Sequence, residues 1–136
     1  MANHFTIIIP SYNNEKWAKR CLGSALKQDY DNYDVIYVDD NSTDATAAVV
    51  AQIVEDTQTK ANVLIVNNNS NHKALYNLWR EIHQSKDGTI IVTLDGDDWL
   101  PNKQVLSVLD QIYSKEDVWM TAGSYIDNAA GMVSSP

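Results

Sequence analysis

Cysteine is almost missing from this chain, in which Cys21 is the single one. One thiol excludes an internal disulfide and any metal site built from several cysteines. A chain without disulfides fits a reducing compartment, so we expect a cytoplasmic protein. The helical spacing of the apolar residues around Cys21 predicts that it is an ordinary core residue.

Positive charge and long apolar stretches are also scarce. Ten Lys and Arg stand against 18 Asp and Glu, which gives a formal net charge of −8. Such a surface repels a phosphate backbone, so we expect no nucleic acid to bind through a basic face, and an anionic ligand would need local help. No stretch approaches the ~20 apolar residues that a membrane helix requires, so we expect no membrane segment.

Glycine is too sparse for the common phosphate-binding loops. The five glycines form neither a Walker A loop nor a Gly-x-Gly-x-x-Gly pattern, which excludes P-loop NTPases and nicotinamide-dependent enzymes. The segment from Pro10 to Asn14 has no glycine, which makes a nucleotidyltransferase a weaker alternative. An EF-hand is excluded because position 12 of a loop starting at Asp95 is Leu106, where calcium needs a glutamate.

What the chain has is a regular alternation of short β-branched runs and longer segments with helical spacing. We predict strands at residues 5–9, 35–38, 63–66, 90–94 and 118–122, with a helix between each pair. This alternation predicts a single α/β domain over residues 1–136, in which helices cover both faces of a mainly parallel sheet as three layers. The residues of the third helix that we predict to face inward are Leu75, Leu78, Trp79 and Ile82.

The most polar loops follow the first, second and fourth strands, at the carboxyl edge of the sheet, where α/β proteins bind ligands. After the fourth strand, Gly96 separates Asp95 from Asp97 and allows a tight turn and the close approach of a ligand. Two carboxylates suit Mg²⁺ or Mn²⁺, which bind oxygen ligands and substrate phosphates. An isolated segment of this kind is also typical of a solvated turn, so the other loops have to support it.

The other two loops each allow two interpretations. Asp39 and Asp40, at the end of the second strand, are either turn and helix-cap residues or acceptors of hydrogen bonds from a base or ribose. Tyr12 and Asn13, after the first strand, form either a plain loop or an aromatic face beside a nucleobase.

Three segments taken together resemble the signature blocks of family 2 nucleotide-sugar glycosyltransferases in order and spacing. They are residues 8–13 (Ile-Ile-Pro-Ser-Tyr-Asn), 38–44 (Val-Asp-Asp-Asn-Ser-Thr-Asp) and 94–99 (Leu-Asp-Gly-Asp-Asp-Trp). Residues 74–77, Ala-Leu-Tyr-Asn, look like a loose version of the family's Ala-Arg-Asn block. The resemblance implies a Rossmann-like GT-A fold that binds a nucleoside diphosphate sugar, usually with UDP, and transfers the sugar to an acceptor hydroxyl with inversion.

The resemblance also implies roles for individual residues. The residues expected at the nucleotide are Pro10, Ser11, Tyr12, Asp40, Lys73, Asn77, Asp95 and Gly96. Asp40 matches the aspartate that recognises uracil. Asp95 matches the first position of the Asp-x-Asp motif, near ribose and metal, and Asp97 matches its last position, which coordinates Mn²⁺ or Mg²⁺. A lone lysine such as Lys73 is also typical of a solvated charge.

The general base that an inverting transfer needs is not identified. In the resembling family it is a carboxylate well downstream of the Asp-x-Asp motif, beyond Pro136. The weak candidate Asp127 lies in a segment typical of a hairpin turn near Gly131. We therefore expect a domain that is truncated or minimal on its acceptor side, whose apolar surface a second copy can cover. The acceptor stays open among glycan, lipid and protein, and a module that binds a UDP-sugar without turnover is the alternative.

Overall fold

Strands and helices alternate along the chain in a computed structural model that describes residues 2–127 and 133–134. The elements are β1 (Phe5–Ser11), α1 (Ala18–Leu26), β2 (Tyr33–Asp39), α2 (Thr46–Asp56), β3 (Asn62–Asn67), α3 (Ala74–Gln84), β4 (Ile90–Thr93), α4 (Val105–Lys115), β5 (Tyr125–Ile126) and β6 (Val133–Ser134). Strands β1 to β4 form a parallel sheet in the order β3-β2-β1-β4. The predicted α/β class with a mainly parallel sheet is confirmed.

Strand β1 is buried along its whole length, which fits its mostly apolar sequence. Phe5, Ile7 and Ile9 belong to the apolar core that residues of α1, α2 and α4 complete. Thr6 lines a cavity together with Glu81 of α3, so α3 lies on the opposite face of the sheet. Helices therefore cover both faces, as a three-layer domain requires. No helix of the described residues is long and apolar enough to cross a membrane.

The predicted fifth strand is wrong. Residues 118–122 form no strand, and Trp119 is 97% exposed. Strand β5 begins later, at Tyr125, and pairs with β6 in the antiparallel direction, in agreement with the predicted hairpin. Gly131, which we predict near its turn, lies outside the described residues. Apolar content alone does not fix a strand, because a strand also needs a partner for its backbone hydrogen bonds.

The predicted inward face of α3 is also wrong. Leu75 is 81% exposed and Trp79 is 55% exposed, whereas Asn77 and Glu81 are buried. Asn77 and Glu81 lie one helical turn apart and therefore share a face. Both have polar partners, Asn68 for Asn77 and Arg80 for Glu81. This polar network turns α3 so that part of its apolar pattern faces outward.

Candidate functional site

The loops after β1, β2 and β4 meet at the carboxyl edge of the sheet, as predicted. Gly96 N–H donates to the Pro10 carbonyl at 3.1 Å, and Asp40 N–H donates to the Ser11 carbonyl at 2.8 Å. The side chain of Asn13 accepts the N–H of Thr43 at 2.8 Å. Polar residues that are distant in sequence are therefore held within one site.

The backbone of these loops adopts unusual conformations. Positive φ angles occur at Asn13 (52°), Asn41 (62°) and Lys73 (72°), which are the non-glycine cases among the described residues. The first two follow β1 and β2, and the third directly precedes α3. Such conformations are costly for residues with a Cβ and cluster at binding sites. The strain therefore marks this edge of the sheet as a candidate functional region.

The loop after β4 carries three carboxylates that repel one another. Asp95, Asp97 and Asp98 each place an oxygen within 4.8 Å of the others, and all three residues are exposed. Their carboxylates accept no hydrogen bond from the part of the chain that the structure describes. Partial desolvation raises the pKa of Asp98, and the charges of Asp97 and Asp95 raise it further. Three close oxygen ligands without protein partners fit a hard divalent cation such as Mn²⁺ or Mg²⁺.

Gly96 holds this acidic loop against the loop after β1. A Cβ at position 96 would lie 2.6 Å from Asn14 Nδ2, 2.7 Å from Ser11 Oγ and 2.8 Å from Ser11 Cβ. These distances are too short for any other residue without movement. The sequence predicts a close approach of a ligand at Gly96, and the close approach that the structure contains is between two loops of the protein.

Cys21 and Trp99 anchor the same loop to α1. The thiol of Cys21 donates to the Asp95 carbonyl at 3.4 Å. Burial raises the pKa of Cys21 to about 12, and the charges of the three aspartates add to this shift. The thiol therefore stays protonated at neutral pH and packs as a core residue, as predicted. Trp99 stacks on Trp17 with 6.1 Å between ring centroids, and the Arg20 guanidinium lies 5.0 Å from the Trp99 ring.

The loop after β2 carries aspartates whose oxygens are already hydrogen-bonded. Asp40 is 3% exposed. It accepts the backbone N–H groups of His72 (2.9 Å) and Lys73 (2.8 Å) and the side-chain amide of Asn68 (2.9 Å). Burial opposes ionisation of Asp40, but these hydrogen bonds outweigh it and lower the pKa of Asp40. Asp39 accepts hydrogen bonds from the backbone and hydroxyl of Ser42. Neither aspartate caps α2, whose first residue is Thr46.

The predicted nucleotide residues differ in what they can still bind. The buried Ser11 hydroxyl accepts hydrogen bonds from Asn14 (3.0 Å) and Tyr37 (2.8 Å), and the Pro10 carbonyl is paired with Gly96. The Tyr12 ring is 47% exposed. Pro10 and Ser11 therefore shape the loop, whereas Tyr12 presents a free ring face.

The remaining predicted site residues are Lys73 and Asn77, at the start of α3, and Asp127. Lys73 is exposed, and its backbone N–H binds Asp40, while Asn77 is fully buried one turn into α3. Asp127 is exposed directly after β5. The sequence analysis missed Asn68 and Arg80, which form the hydrogen bonds behind Asp40. Their only sequence signal is an asparagine-rich loop followed by an arginine three residues after Asn77.

A cavity of about 560 Å³ lies elsewhere, between α3 and the sheet, and is lined by His4, Asp34, Glu81 and Thr89 among others. Several of its polar groups pair with one another. His4 Nε2 lies 3.0 Å from Asp34, and His4 Nδ1 lies 3.0 Å from the Thr89 hydroxyl. These contacts join the starts of three strands, at the edge of the sheet opposite to the acidic loops, and the candidate site is the carboxyl edge.

The family model described as Glycosyl transferase family 2 matches residues 6–134. Poly(ribitol-phosphate) beta-N-acetylglucosaminyltransferase TarS of Staphylococcus aureus is 33% identical over 104 residues, which cover 75% of this chain and 17% of that protein. An uncharacterized glycosyltransferase of Haemophilus influenzae is 31% identical over 120 residues, covering 88% of this chain and 46% of that protein. This chain belongs to glycosyltransferase family 2.

Solved structures agree on the fold. The structure of S. aureus TarS 1–349 in complex with UDP-GlcNAc matches with a TM-score of 0.69 and 30% identity, covering 82% of this chain and 31% of that one. The mannosyltransferase PcManGT from Pyrobaculum calidifontis, in complex with GDP-Man and Mn²⁺, matches with a TM-score of 0.72 and 23% identity, covering 91% and 35%. The predicted GT-A fold is confirmed. The chain spans less than half the length of each of these relatives.

Proposed function

We propose that this chain is the donor-binding part of a metal-dependent glycosyltransferase that takes a UDP-sugar and transfers the sugar to an acceptor hydroxyl with inversion. One observation carries the proposal. Three carboxylates that accept no hydrogen bond from residues 2–127 lie at the same sheet edge as an ordered aspartate, Asp40, and an exposed ring, Tyr12. Such an edge offers a cation site for a diphosphate. It also offers a carboxylate that accepts hydrogen bonds from a base and an aromatic ring on which the base can stack.

At the diphosphate end, Asp95 and Asp97 are the residues that would hold Mn²⁺ or Mg²⁺, with Asp98 beside them. When bound, the ion supplies charge that offsets the negative charge developing on the departing diphosphate. The carboxylates would hold the cation, and the cation would offset their negative charge so that an anionic ligand can bind at this edge. The bound cation would supply the local positive charge that a chain of net charge −8 needs in order to bind an anionic ligand.

At the nucleoside end, the exposed Tyr12 ring can stack on a base, and Asp40 is the hydrogen-bonded carboxylate that we assign to the base. We assign a structural role to Pro10, Ser11 and Gly96, because their hydrogen bonds and close contacts join the loop after β1 to the loop after β4. Lys73 and Asn77 support this end of the site from behind, Lys73 through its N–H to Asp40 and Asn77 through Asn68.

The relatives support a nucleotide-sugar donor. TarS structures are described in complex with UDP and with UDP-GlcNAc. A nucleotidyltransferase is disfavoured because the chain belongs to a glycosyltransferase family. We keep the acceptor open among glycan, lipid and protein. Exposed apolar residues such as Trp119 and Met120 are the surface that the predicted homodimer would cover.

A module that binds the donor without turnover is the second candidate. Its basis is that the described residues offer groups for a cation and a donor nucleotide, whereas the general base that turnover needs is not identified. Release of free UDP from UDP-sugars by this chain would favour the enzyme. Saturable binding of UDP without release from any donor and acceptor would favour the module.

Calorimetric titration of UDP with and without Mn²⁺ tests the shared part of both candidates. We expect Mn²⁺ to strengthen binding by at least about tenfold, and Asp97→Asn to remove that gain. Asp87→Asn is the matched control, since it removes the same charge from an exposed position after α3. Equal metal dependence in Asp97→Asn and Asp87→Asn would contradict the assignment of the metal site.

A further inference from the structure

The cavity between α3 and the sheet has a floor made of two rows of side chains. Its volume of about 560 Å³ is typical of a site for a small molecule. One row is polar, with Thr6, Asp34 and Asn62 in register across β1, β2 and β3. Two residues further along the strands, Ile36 and Leu64 form an apolar row on the same face. The rows lie about 7 Å apart on strands spaced by about 5 Å, so the floor is roughly as large as one six-membered sugar ring with its hydroxyl groups.

Two nearly buried residues line this cavity with hydrogen-bonding groups that the protein leaves unused. Thr6 in the floor and Glu81 in the wall formed by α3 are each 3% exposed. Glu81 Oε1 accepts a hydrogen bond from Arg80 Nε at 2.8 Å. Within the described residues, neither Glu81 Oε2 nor the Thr6 hydroxyl forms a hydrogen bond. Because buried polar groups nearly always have a partner, these two groups indicate that the cavity holds water or a polar ligand.

The charged groups of the cavity are largely paired inside the protein. Asp34 Oδ2 lies 3.0 Å from His4 Nε2, and Glu81 is paired with Arg80. Among the charged residues that line the cavity, Lys86 alone forms no ion pair with the part of the chain that the structure describes, and it is exposed. Two carboxylates repel an anion, and their partners reduce the attraction for a cation. The remaining binding capacity therefore suits a neutral polar ligand.

The neutral groups around the floor can both donate and accept hydrogen bonds. The Gln84 amide makes no side-chain hydrogen bond with residues 2–127, and Asn62 Oδ1 is unused beside its Nδ2, which donates to Asp34 at 3.0 Å. Leu64, in the apolar row, is 52% exposed. A sugar hydroxyl donates and accepts as water does, so it can replace water at such groups. The C–H face of the same ring can cover the apolar row.

We propose that this cavity is a second binding site, which takes one neutral pyranose unit of a saccharide. The apolar row carries the C–H face of the ring, and Thr6, Glu81 and Gln84 bind hydroxyl groups at its edge. The cavity lies where the strands begin, at the edge of the sheet opposite to the acidic loops. The site therefore binds its ligand without a nucleotide or a cation, and it does not depend on the proposed function.

Titration of the full chain with glucose, mannose and N-acetylglucosamine, without UDP or Mn²⁺, tests this site when the backbone amide signals are followed by NMR. We expect saturable shifts in residues 34–36, 62–64 and 81–85 with at least one of the three sugars, at a dissociation constant of about 1–10 mM. Residues 95–98 should shift less, because they lie at the opposite edge.

Two variants test the residues that we assign to the ligand. Thr6→Val keeps the shape of the side chain and removes its hydroxyl, and Gln84→Ala removes an exposed amide. Each variant loses one hydrogen bond to the sugar, so we expect binding to weaken about three- to tenfold. Gln111→Ala is the matched control, because it removes the same amide from an exposed position on α4, and its affinity should equal that of the wild type.

The charge and length of the sugar sharpen the assignment. Glucuronic acid has the ring of glucose and a carboxylate, so we expect it to bind more weakly than glucose. Maltose and cellobiose distinguish two sources of the same ligand: tighter binding than glucose indicates a unit within a glycan, and equal binding indicates a free sugar.

Four results would overturn the inference. They are the absence of saturable shifts with all three neutral sugars, shifts confined to the carboxyl edge of the sheet, an unchanged affinity in Thr6→Val or Gln84→Ala, and tighter binding of glucuronic acid than of glucose. Because UDP and Mn²⁺ are absent from these titrations, such results would leave the proposed function untouched.

Discussion

The two acidic loops at the carboxyl edge are built in opposite ways. In the loop after β2, the carboxylate of Asp40 is buried and accepts three hydrogen bonds. In the loop after β4, Asp95, Asp97 and Asp98 are exposed and crowd one another without hydrogen bonds from the described residues. The protein stabilises the ionised form of Asp40 and disfavours that of Asp98, as the directions of their pKa shifts show.

This difference separates two kinds of binding group. The carboxylates of the β2 loop are hydrogen-bonded without a ligand, which in the proposed function suits recognition of a fixed pattern of donors. The β4 loop is under electrostatic repulsion that a divalent cation would relieve, so in the proposed function its stabilisation is obtained on binding. The same residue type, aspartate, therefore contributes to stability in one loop and opposes it in the other.

Substitution of Asp40 by asparagine should give the largest loss of stability. Asparagine keeps the shape but turns a donating N–H₂ toward groups that themselves donate, Asn68, His72 and Lys73. We expect the free energy of unfolding to fall by about 2–3 kcal/mol at neutral pH, measured by urea unfolding. Asp87→Asn, an exposed change of the same charge, is the control and should have little effect.

The pH dependence of that loss sharpens the comparison. The pKa of Asp40 is lowered in the folded chain, so its stabilising contribution is present above the pKa of the unfolded chain and is lost as pH falls through the folded value. The difference in unfolding free energy between the wild type and Asp40→Asn should therefore shrink below about pH 4. A difference that stays constant to acidic pH would show that the hydrogen bonds do not depend on the carboxylate charge.

Substitution of Gly96 by alanine tests what holds the β4 loop in place. Its new Cβ would lie 2.8 Å or less from three atoms of Ser11 and Asn14. We expect a loss of about 1–2 kcal/mol in unfolding free energy and weaker binding of UDP. Gly23→Ala is the matched control, because nothing lies within 4 Å of its added Cβ. Alanine inside a helix should raise the unfolding free energy by about 0.5–1 kcal/mol. Equal effects of the two changes would show that the loops do not depend on their close contact.

The sequence indicates the framework and the acidic loops well. β-Branched runs predict the first four strands, and parallel topology then brings the loops after β1, β2 and β4 to one edge without further information. The cluster of Asp95 and Asp97 follows from their spacing at a strand end. These features are local or follow from topology, so they can be predicted from one chain.

The contacts behind Asp40 could not be predicted in the same way. The apolar spacing of Leu75 and Trp79 predicts the wrong inward face for α3, because the pairing of Asn77 with Asn68 sets the rotation of the helix. Arg80 looks like a solvated charge until its contacts with Asn68 and Glu81 are seen. Hydrogen-bond partners that are distant in sequence leave no period in the sequence, so this network could be found only from the structure.

Substitution of Asp98 by asparagine should give the smallest effect, of the opposite sign to that of Asp40→Asn. Neighbouring charges and partial desolvation disfavour the ionised carboxylate of Asp98, so without metal its removal relieves repulsion. Solvent screens these exposed groups, and we expect a rise of only about 0.5 kcal/mol in unfolding free energy.

The Asp87→Asn control accounts for the general gain from a less negative chain, so the comparison between the two variants isolates the loop. Because Mn²⁺ neutralises the same repulsion, the advantage of Asp98→Asn should vanish or reverse when thermal unfolding is followed with Mn²⁺ and UDP. A stabilisation that is the same with and without the metal would mean that the three aspartates do not act as one cation site.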